Sequence, residues 1–491
     1  MQSSGAGRPH VALLASPGMG HLIPVLELGK RLIANHDISI TIFVVSTDAA
    51  TSKSLLKTCP STTNLSIVPL PPVDISAHVE PSDHFVTKLI VMMQQSVSNL
   101  RSAISLMRTP PAALIVDIFG ADSFSVADEF GMLKYAFITT TASFLAVTVY
   151  GGVSEDEVVE HVTLKKPLHV PGCNPIRFED TLHAYLDYGD RVFDEAQKLG
   201  AGFALADGIL INTWEDLEVQ TLAALRSEKH LKNIVKAPVY PVGPLVRPSQ
   251  PTGSTENNTV LEWLDEQPSE SVIYVSFGSG GTLSRAQMVE LAWGLELSGH
   301  RFIWVVRPPV DDDASAAFFS LGKASESDGP QRYLPEGFIA RTNDRGMVVP
   351  MWAPQAEILA HESVGAFVSH CGWNSTLESI TNGVPMVVWP LYAEQNLNAV
   401  LLTEELRVAV RPAVNDDVGG VVKRGEIENL VRKVMEGEEG QCIRERVKEV
   451  MEDGGSALSR KLNGSSFRAL EKVAGECELN HRRVNAKAQG A

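Results

Sequence analysis

Short runs rich in Val, Ile and Leu recur along the first half of the chain, at Val11–Ala15, Ile38–Val45, Leu65–Leu70, Ala112–Asp117, Lys134–Thr139 and Gly208–Asn212. They show little alternation of apolar and polar positions, as expected of strands buried on both faces. Between the runs the period lengthens. After the first, Leu22, Val25, Leu26, Gly29, Leu32 and Ile33 share one face at three- and four-residue spacing, which predicts an amphipathic helix with Pro24 in its first turn. Strands alternating with helices predict a parallel, doubly wound sheet.

The rhythm stops after Val239–Leu245, VYPVGPL. The stretch Arg247–Asn258, RPSQPTGSTENN, is polar, aperiodic and rich in Pro, Gly and Ser, a linker composition. The β-α pattern then restarts, with strands at Val272–Phe277, Phe302–Arg307, Met347–Trp352, Ala366–His370 and Met386–Trp389 and helices beginning near Ser284, Gln355, Asn374 and Glu394. Val310–Gln331, rich in Asp, Ala and Ser, reads as a long surface loop. Ser456–Leu479 reads as a helix through Leu458, Leu462, Phe467, Leu470 and Val473. The expected organisation is two tandem α/β domains, 1–245 and 259–479, joined by the linker 246–258. The last helix is expected to pack back on the first domain, and 480–491 to form a polar, frayed tail.

Length agrees with this division, because 491 residues exceed what one hydrophobic core holds. A net charge of −17 disfavours nucleic acid and anionic membrane as partners, yet leaves room for a nucleotide bound through backbone N–H groups. The cysteines, Cys59, Cys173, Cys371, Cys442 and Cys477, form no CxxC pair and read as reduced cytosolic thiols. No run is long and apolar enough for a membrane span, and the leading MQSSGAGRPH has no apolar signal core, so the expected location is the cytoplasm. No HExxH or EF-hand pattern occurs and Asp311–Asp313 reads as a loop charge run, so no metal or other cofactor is expected.

Ligands of open α/β sheets bind beyond the carboxyl ends of the strands, so two such domains are expected to face each other across a cleft. The residues just after strands are therefore informative. In Trp352–Gln395, a strand ends in His370-Cys371-Gly372-Trp373-Asn374-Ser375 and a helix follows. The first helical N–H groups and the positive end of the dipole suit a phosphate; Gly372 removes bulk, and His370 and Ser375 add donors. Trp352 can stack on a base, Gln355 and Glu378 can reach ribose hydroxyls, and Glu394-Gln395 suit paired sugar hydroxyls. Taken singly, each of these also reads as core or as a helix cap; it is their clustering at strand ends that favours a site.

A second cluster follows the first strand, in Ser16-Pro17-Gly18-Met19-Gly20-His21. His21 carries a side chain able to accept a proton from a hydroxyl near neutral pH, and Asp117, at the end of its own strand, could orient it. A capping histidine and a strand-end aspartate that caps the next helix explain the same residues equally well.

The block Trp352–Gln395 resembles the signature box of the plant family 1 UDP-dependent glycosyltransferases, and SPGMGHLIP, YPVGPL and YVSFGSGGTLS extend the resemblance along most of the chain. Within that family the pattern is similar to the hydroquinone (arbutin-forming) and indoxyl-type glucosyltransferases. The resemblance implies the two-domain GT-B fold. It also implies an inverting transfer of glucose from UDP-glucose to a small phenolic or indolic hydroxyl, by a monomer that needs no metal. By position it implies His21 as base and Asp117 as its partner. Trp352 and the Ala353 backbone would hold uracil, Gln355 and Glu378 the ribose, and His370, Asn374, Ser375 and Ser279 the diphosphate. Trp373, Glu394 and Gln395 would hold the glucose, with Thr141 touching the sugar; Gly20, Gly372 and Tyr392 complete the donor candidates. Phe119, Phe144, Leu145 and Leu182 are candidates for the acceptor wall. The stretches Gly151–Asp190 and Val310–Gln331 carry little of the motif and leave the acceptor open. Rival readings are a nucleotide-dependent oxidoreductase, a non-catalytic UDP-sugar binder and a transferase using another UDP-sugar or a flavonoid acceptor. Ile23 stands where a dinucleotide fingerprint needs its third glycine, which counts against the first.

Overall fold

The computed structural model describes residues 8–46, 61–80, 82–227, 229, 231–249, 258–311, 315, 329–413 and 420–489. Most of the expected linker (250–257), most of the loop Val310–Gln331, Cys59 and the final residues 490–491 lie outside the described residues. The chain divides into two compact units, Met1–Val246 with Gly454–Ala491, and Arg247–Asp453.

The first unit is built on a seven-stranded sheet. Its strands are β1 (His10–Ala15), β2 (Ser39–Val44), β3 (Leu65–Pro69), β4 (Ala113–Asp117), β5 (Leu133–Ile138), β6 (Gly208–Ile211) and β7 (Val239–Pro241). Their order is β3-β2-β1-β4-β5-β6-β7, and all neighbours are parallel. The second unit holds a six-stranded sheet, β8 (Val272–Ser276), β9 (Arg301–Val306), β10 (Gly346–Pro350), β11 (Val364–Ser369), β12 (Met386–Val388) and β13 (Ala409–Val410), in the order β10-β9-β8-β11-β12-β13, again all parallel. The apolar runs form strands because almost every residue in them is buried, Val11–Leu13 and Phe302–Ile303 having no exposed surface. β7 and β13 are not announced by apolar runs; three and two residues are too few for a period to register.

Each sheet has one point where the strand order reverses. In the first it lies between β1 and β4, in the second between β8 and β11. At such a point the loops after the two strands diverge to opposite faces of the sheet, which leaves a crevice at its carboxyl edge.

Three local expectations are corrected. The helix after β1 runs Met19–His36, so Pro24 lies inside it rather than in its first turn. Gly18 (φ 106) lets the chain turn sharply enough to start the helix early. The C-terminal stretch Ser456–Leu479 is not one helix: Gly437–Leu458 ends there, Asn463 adopts a left-handed conformation (φ 52), and Ser465–Gln489 follows. This last helix belongs to the first unit, where Ala469, Leu470, Val473, Ala474 and Cys477 join the core formed by β1, β2, β4 and β5. The segment expected as a polar tail from Asn480 is helical as far as Gln489. Asn480 is buried, and its side-chain amide donates to the carbonyl oxygens of Ala112 at 2.7 Å and Gly131 at 3.1 Å. A polar side chain matched to buried carbonyls holds that turn down.

Candidate active site

The first cluster sits at the switch point of the seven-stranded sheet. Asp117 is the last residue of β4, and Ser16 follows β1, its neighbour in the sheet. The Asp117 side chain has no exposed surface. Its Oδ2 accepts from the Ser16 backbone N–H at 2.7 Å, and its Oδ1 from the Ser16 hydroxyl at 2.5 Å. His21, in the first turn of Met19–His36, lies with Nδ1 3.3 Å from Asp117 Oδ2. Nδ1 is buried and makes no hydrogen bond to that oxygen at this separation. Catalytic bonds of this kind are commonly long before substrate arrives. The ring rests against Phe119, centroids 5.3 Å apart, and the side chain keeps 15% of its surface exposed. With Nδ1 turned to the carboxylate, Nε2 is the nitrogen left for a substrate proton.

The other candidates of this unit divide by burial. Thr141 is buried and caps the helix Ala142–Gly151, its hydroxyl accepting from the Phe144 N–H at 3.1 Å. Glu218 holds the same helix start: its carboxylate accepts from the N–H groups of Ala142 at 2.8 Å and Ser143 at 3.0 Å, and burial raises its pKa. Gly20 is exposed in the first turn of its helix. Phe119 and Phe144 are half-buried, and Leu182 is buried at 4% exposure. Leu145 has no exposed surface.

The second cluster sits at the switch point of the six-stranded sheet. His370 follows β11, Gly278 lies just beyond β8, and the helix Trp373–Thr381 starts after Gly372. A Cβ on Gly278 would stand 2.5 Å from Cε1 and Nε2 of His370, and one on Gly372 2.5 Å from Nε2. The imidazole is thus fitted against two glycines, and Gly278 also needs its φ of 74. Burial, helped by the nearby Arg307 charge, pushes His370 down to about 4. It stands neutral near pH 7, a hydrogen-bonding group and not a cation. Cys371 adopts φ 62, a strained conformation of the kind found at functional turns.

Further along the helix, Gln355 Nε2 donates to Ser375 Oγ at 2.9 Å and to Glu378 Oε2 at 2.8 Å, and burial raises the Glu378 pKa. Trp352 follows β10 after Met351 (φ 66) and is 53% exposed, which leaves its flat face open to a ring; Ala353 is buried beside it. Trp373 and Tyr392 are buried, Asn374 is half-buried and Ser279 exposed. Gln395 Oε1 accepts from the N–H groups of Leu391 at 2.8 Å and Tyr392 at 3.1 Å, which directs its NH₂ elsewhere as a donor. Glu394 Oε1 accepts from Asn398 Nδ2 at 3.4 Å.

The second unit therefore gathers a flat indole, an amide-carboxylate pair suited to vicinal hydroxyls, and neutral donors at a helix start suited to an anion. The first gathers a histidine and a buried carboxylate. Sequence reasoning gave no role to Ser16, Gly278, Glu218 or Arg307. Ser16 and Arg307 had a usable signal: each is the first polar residue after an apolar strand. Glu218 had none, because the helix it caps starts far away in the chain. Among the described residues no group of three or more His, Cys, Asp or Glu could hold a metal, no helix is long and apolar enough to cross a membrane, and Cys173, Cys371, Cys442 and Cys477 are free.

Residues 254–439 match the family model of UDP-glucoronosyl and UDP-glucosyl transferases. The chain is 50% identical over 487 residues to UDP-glycosyltransferase 72E1 of Arabidopsis thaliana, covering 99% of both chains. It is 43% identical over 475 residues to the hydroquinone glucosyltransferase of Rauvolfia serpentina, covering 95% of this chain and 97% of that one. Its fold matches the crystal structure of TcCGT1 in complex with UDP, with a TM-score of 0.89 and 47% identity over 97% of this chain and 100% of that chain.

Proposed function

Because the chain belongs to the plant family 1 UDP-glycosyltransferases, enzymes that move a sugar from a UDP-sugar to a small acceptor, we propose that its donor is UDP-glucose and its acceptor a small phenolic or indolic hydroxyl. The observation that carries the chemistry is the His21–Asp117 pair at the switch point of the first sheet. Nε2 of His21 takes the acceptor hydroxyl proton while that oxygen bonds to the anomeric carbon. The bond from that carbon to the diphosphate oxygen breaks, its electron pair leaves with UDP, and the configuration inverts to a β-glucoside. Asp117, held by both donors of Ser16, faces the imidazolium that forms and orients it.

The second unit is the donor seat in this reading. Trp352 stacks on uracil and the Ala353 backbone meets the base edge. Gln355 and Glu378 take the ribose, and Trp373, Glu394 and Gln395 the glucose. Ser279, His370, Asn374, Ser375 and the helix start meet the negative charge that grows on the diphosphate, with Gly372 and Tyr392 shaping the seat. Fixed donors of this kind commonly supply the largest share of a rate enhancement. The neutral state of His370 supports the assignment, because it donates without having to titrate. The hydroquinone-glucosylating relative supports a phenolic acceptor, and Gln395, the residue type that goes with glucose in the family, supports the donor sugar.

The test is a competition. Incubated with equal UDP-glucose, UDP-galactose and UDP-xylose and a panel of phenols, indoxyl and flavonols, the protein should give mainly β-glucosides of the phenols or indoxyl, identified by mass and by β-glucosidase cleavage. Pentosides or galactosides as the main product would refute the donor, and products only from flavonols the acceptor class.

A further inference from the structure

At the carboxyl edge of the second sheet, Arg307 has no anion among the described residues. Arg307 is the first residue after β9, which lies beside β8 in the sheet. It is half-buried, its Nε is buried without a hydrogen-bond partner, and no ion pair joins it to a described carboxylate. Two other arginines of this unit are matched: Arg341 meets Glu296 at 2.7 Å and Arg424 meets Glu290 at 2.6 Å. Desolvating a guanidinium without a partner is costly, and here it lowers the arginine's own pKa. Such a group fits a site whose anion arrives with a ligand.

Its surroundings say which ligand. Arg307 lines a small pocket with Gly278, Gly281 and Thr282, the segment that follows β8. Gly278 is the residue against which the His370 ring is fitted. His370 is only 8% exposed, its Nδ1 is a second buried atom without a partner, and it stands just before the positive end of the helix Trp373–Thr381. The Arg307 charge is felt at His370 as well as at Tyr274 and Tyr392. Tyr274 in turn donates to Gln355 at 3.5 Å. An unmatched cation and an unmatched imidazole thus converge where the donor nucleotide is read to lie.

We propose that Arg307 is a diphosphate-binding residue of the donor site, setting its permanent charge against the phosphates while His370 contributes a neutral hydrogen bond. This rests on the donor seat described above. Arg307 suits the task because its charge does not titrate near neutral pH and its planar fork matches phosphate oxygens. The role predicts discrimination by phosphate: the guanidinium should matter for UDP and not for uridine.

The test is calorimetric binding of UDP, UMP and uridine to the full-length wild type, R307Q and R307K, with thermal melting of each. R307Q should weaken UDP by roughly tenfold or more, UMP by less, and leave uridine within about twofold. R307K, which keeps the charge and most of the stem, should recover part of the loss. R307Q that binds UDP as well as wild type overturns the proposal. So does an equal loss for UDP and uridine, which marks Arg307 as a packing residue. Should R307Q not fold, R307K decides alone, by a loss for UDP that exceeds its loss for uridine or by the absence of one. Wild type that binds no UDP refutes the donor seat itself, and is distinguished because it precedes any variant.

Discussion

At Gly278 a methyl group is enough to test the site. The residue needs a positive φ, and an added Cβ would collide with His370 at 2.5 Å. Gly278→Ala is therefore expected to displace the imidazole and to weaken UDP binding by at least about tenfold, a loss seen by calorimetry; unchanged affinity would show that the ring is free to give way. His21 and Ser16 separate chemistry from binding in the other unit. His21→Ala removes the proton acceptor and should lower kcat by ~10²–10⁴ with UDP affinity intact. Ser16→Ala takes one donor from a fully buried carboxylate but leaves the backbone N–H in place. It should lower kcat by a smaller factor, roughly tenfold, again without effect on UDP. An unchanged kcat for Ser16→Ala would mean that the Ser16 hydroxyl positions nothing through Asp117. Of these residues, His21, Asp117, His370 and Gly372 were legible from the sequence because each follows or ends an apolar run. Gly278 was not, because its need for glycine arises from a ring that arrives from another strand.

The element with most of its explanation outside itself is the last helix, Ser465–Gln489. Its apolar stripe was visible in the sequence, but the same stripe could have served either core. Its place is set by paired polar groups as much as by Leu470 and Val473: the Tyr135 and Tyr240 hydroxyls both donate to Glu476, the second at 2.6 Å. Burial and the facing carboxylate raise both tyrosine pKa values, so both remain protonated donors. Glu476→Ala leaves two part-buried hydroxyls without their acceptor and is expected to cost about 2–4 kcal/mol in denaturant unfolding. Tyr240→Phe should cost about 1 kcal/mol, since the hydroxyl leaves with its own need for a partner. A cost below about 0.5 kcal/mol for Glu476→Ala would show that the helix is held by its apolar face alone.

On the scale of the whole molecule, the first unit is discontinuous in sequence and the second is not. A chain ending at Asp453 lacks Ala469, Leu470, Val473, Ala474 and Cys477, and so opens the core that β1, β2 and β4 share with them. It is expected to lose cooperative unfolding of the first unit and all transfer activity. The fragment 247–453 keeps its own core of Ile273, Val275, Phe302, Trp304, Val368 and Val431 and the entire donor cluster, so it should fold and bind UDP. Circular dichroism melts and calorimetry on both truncations check this. A fragment that folds but binds no UDP would show that the donor seat needs groups from the other unit.

By itself the sequence determined the repeating β-α periodicity, the division into two parallel-sheet halves, and the polar residues that stand at strand ends. These are local properties: burial on both faces shows as an unbroken apolar run, and a site residue shows as the first polar position after it. Only the tertiary structure decided which strands are neighbours. The reversals of order at β1/β4 and β8/β11 set His21 beside Asp117 and His370 against Gly278, and they leave Arg307 near His370 without an anion. Those pairings depend on contacts between segments far apart in the chain. A hydrophobic period records how deeply a residue is buried, and carries no record of what it is buried against.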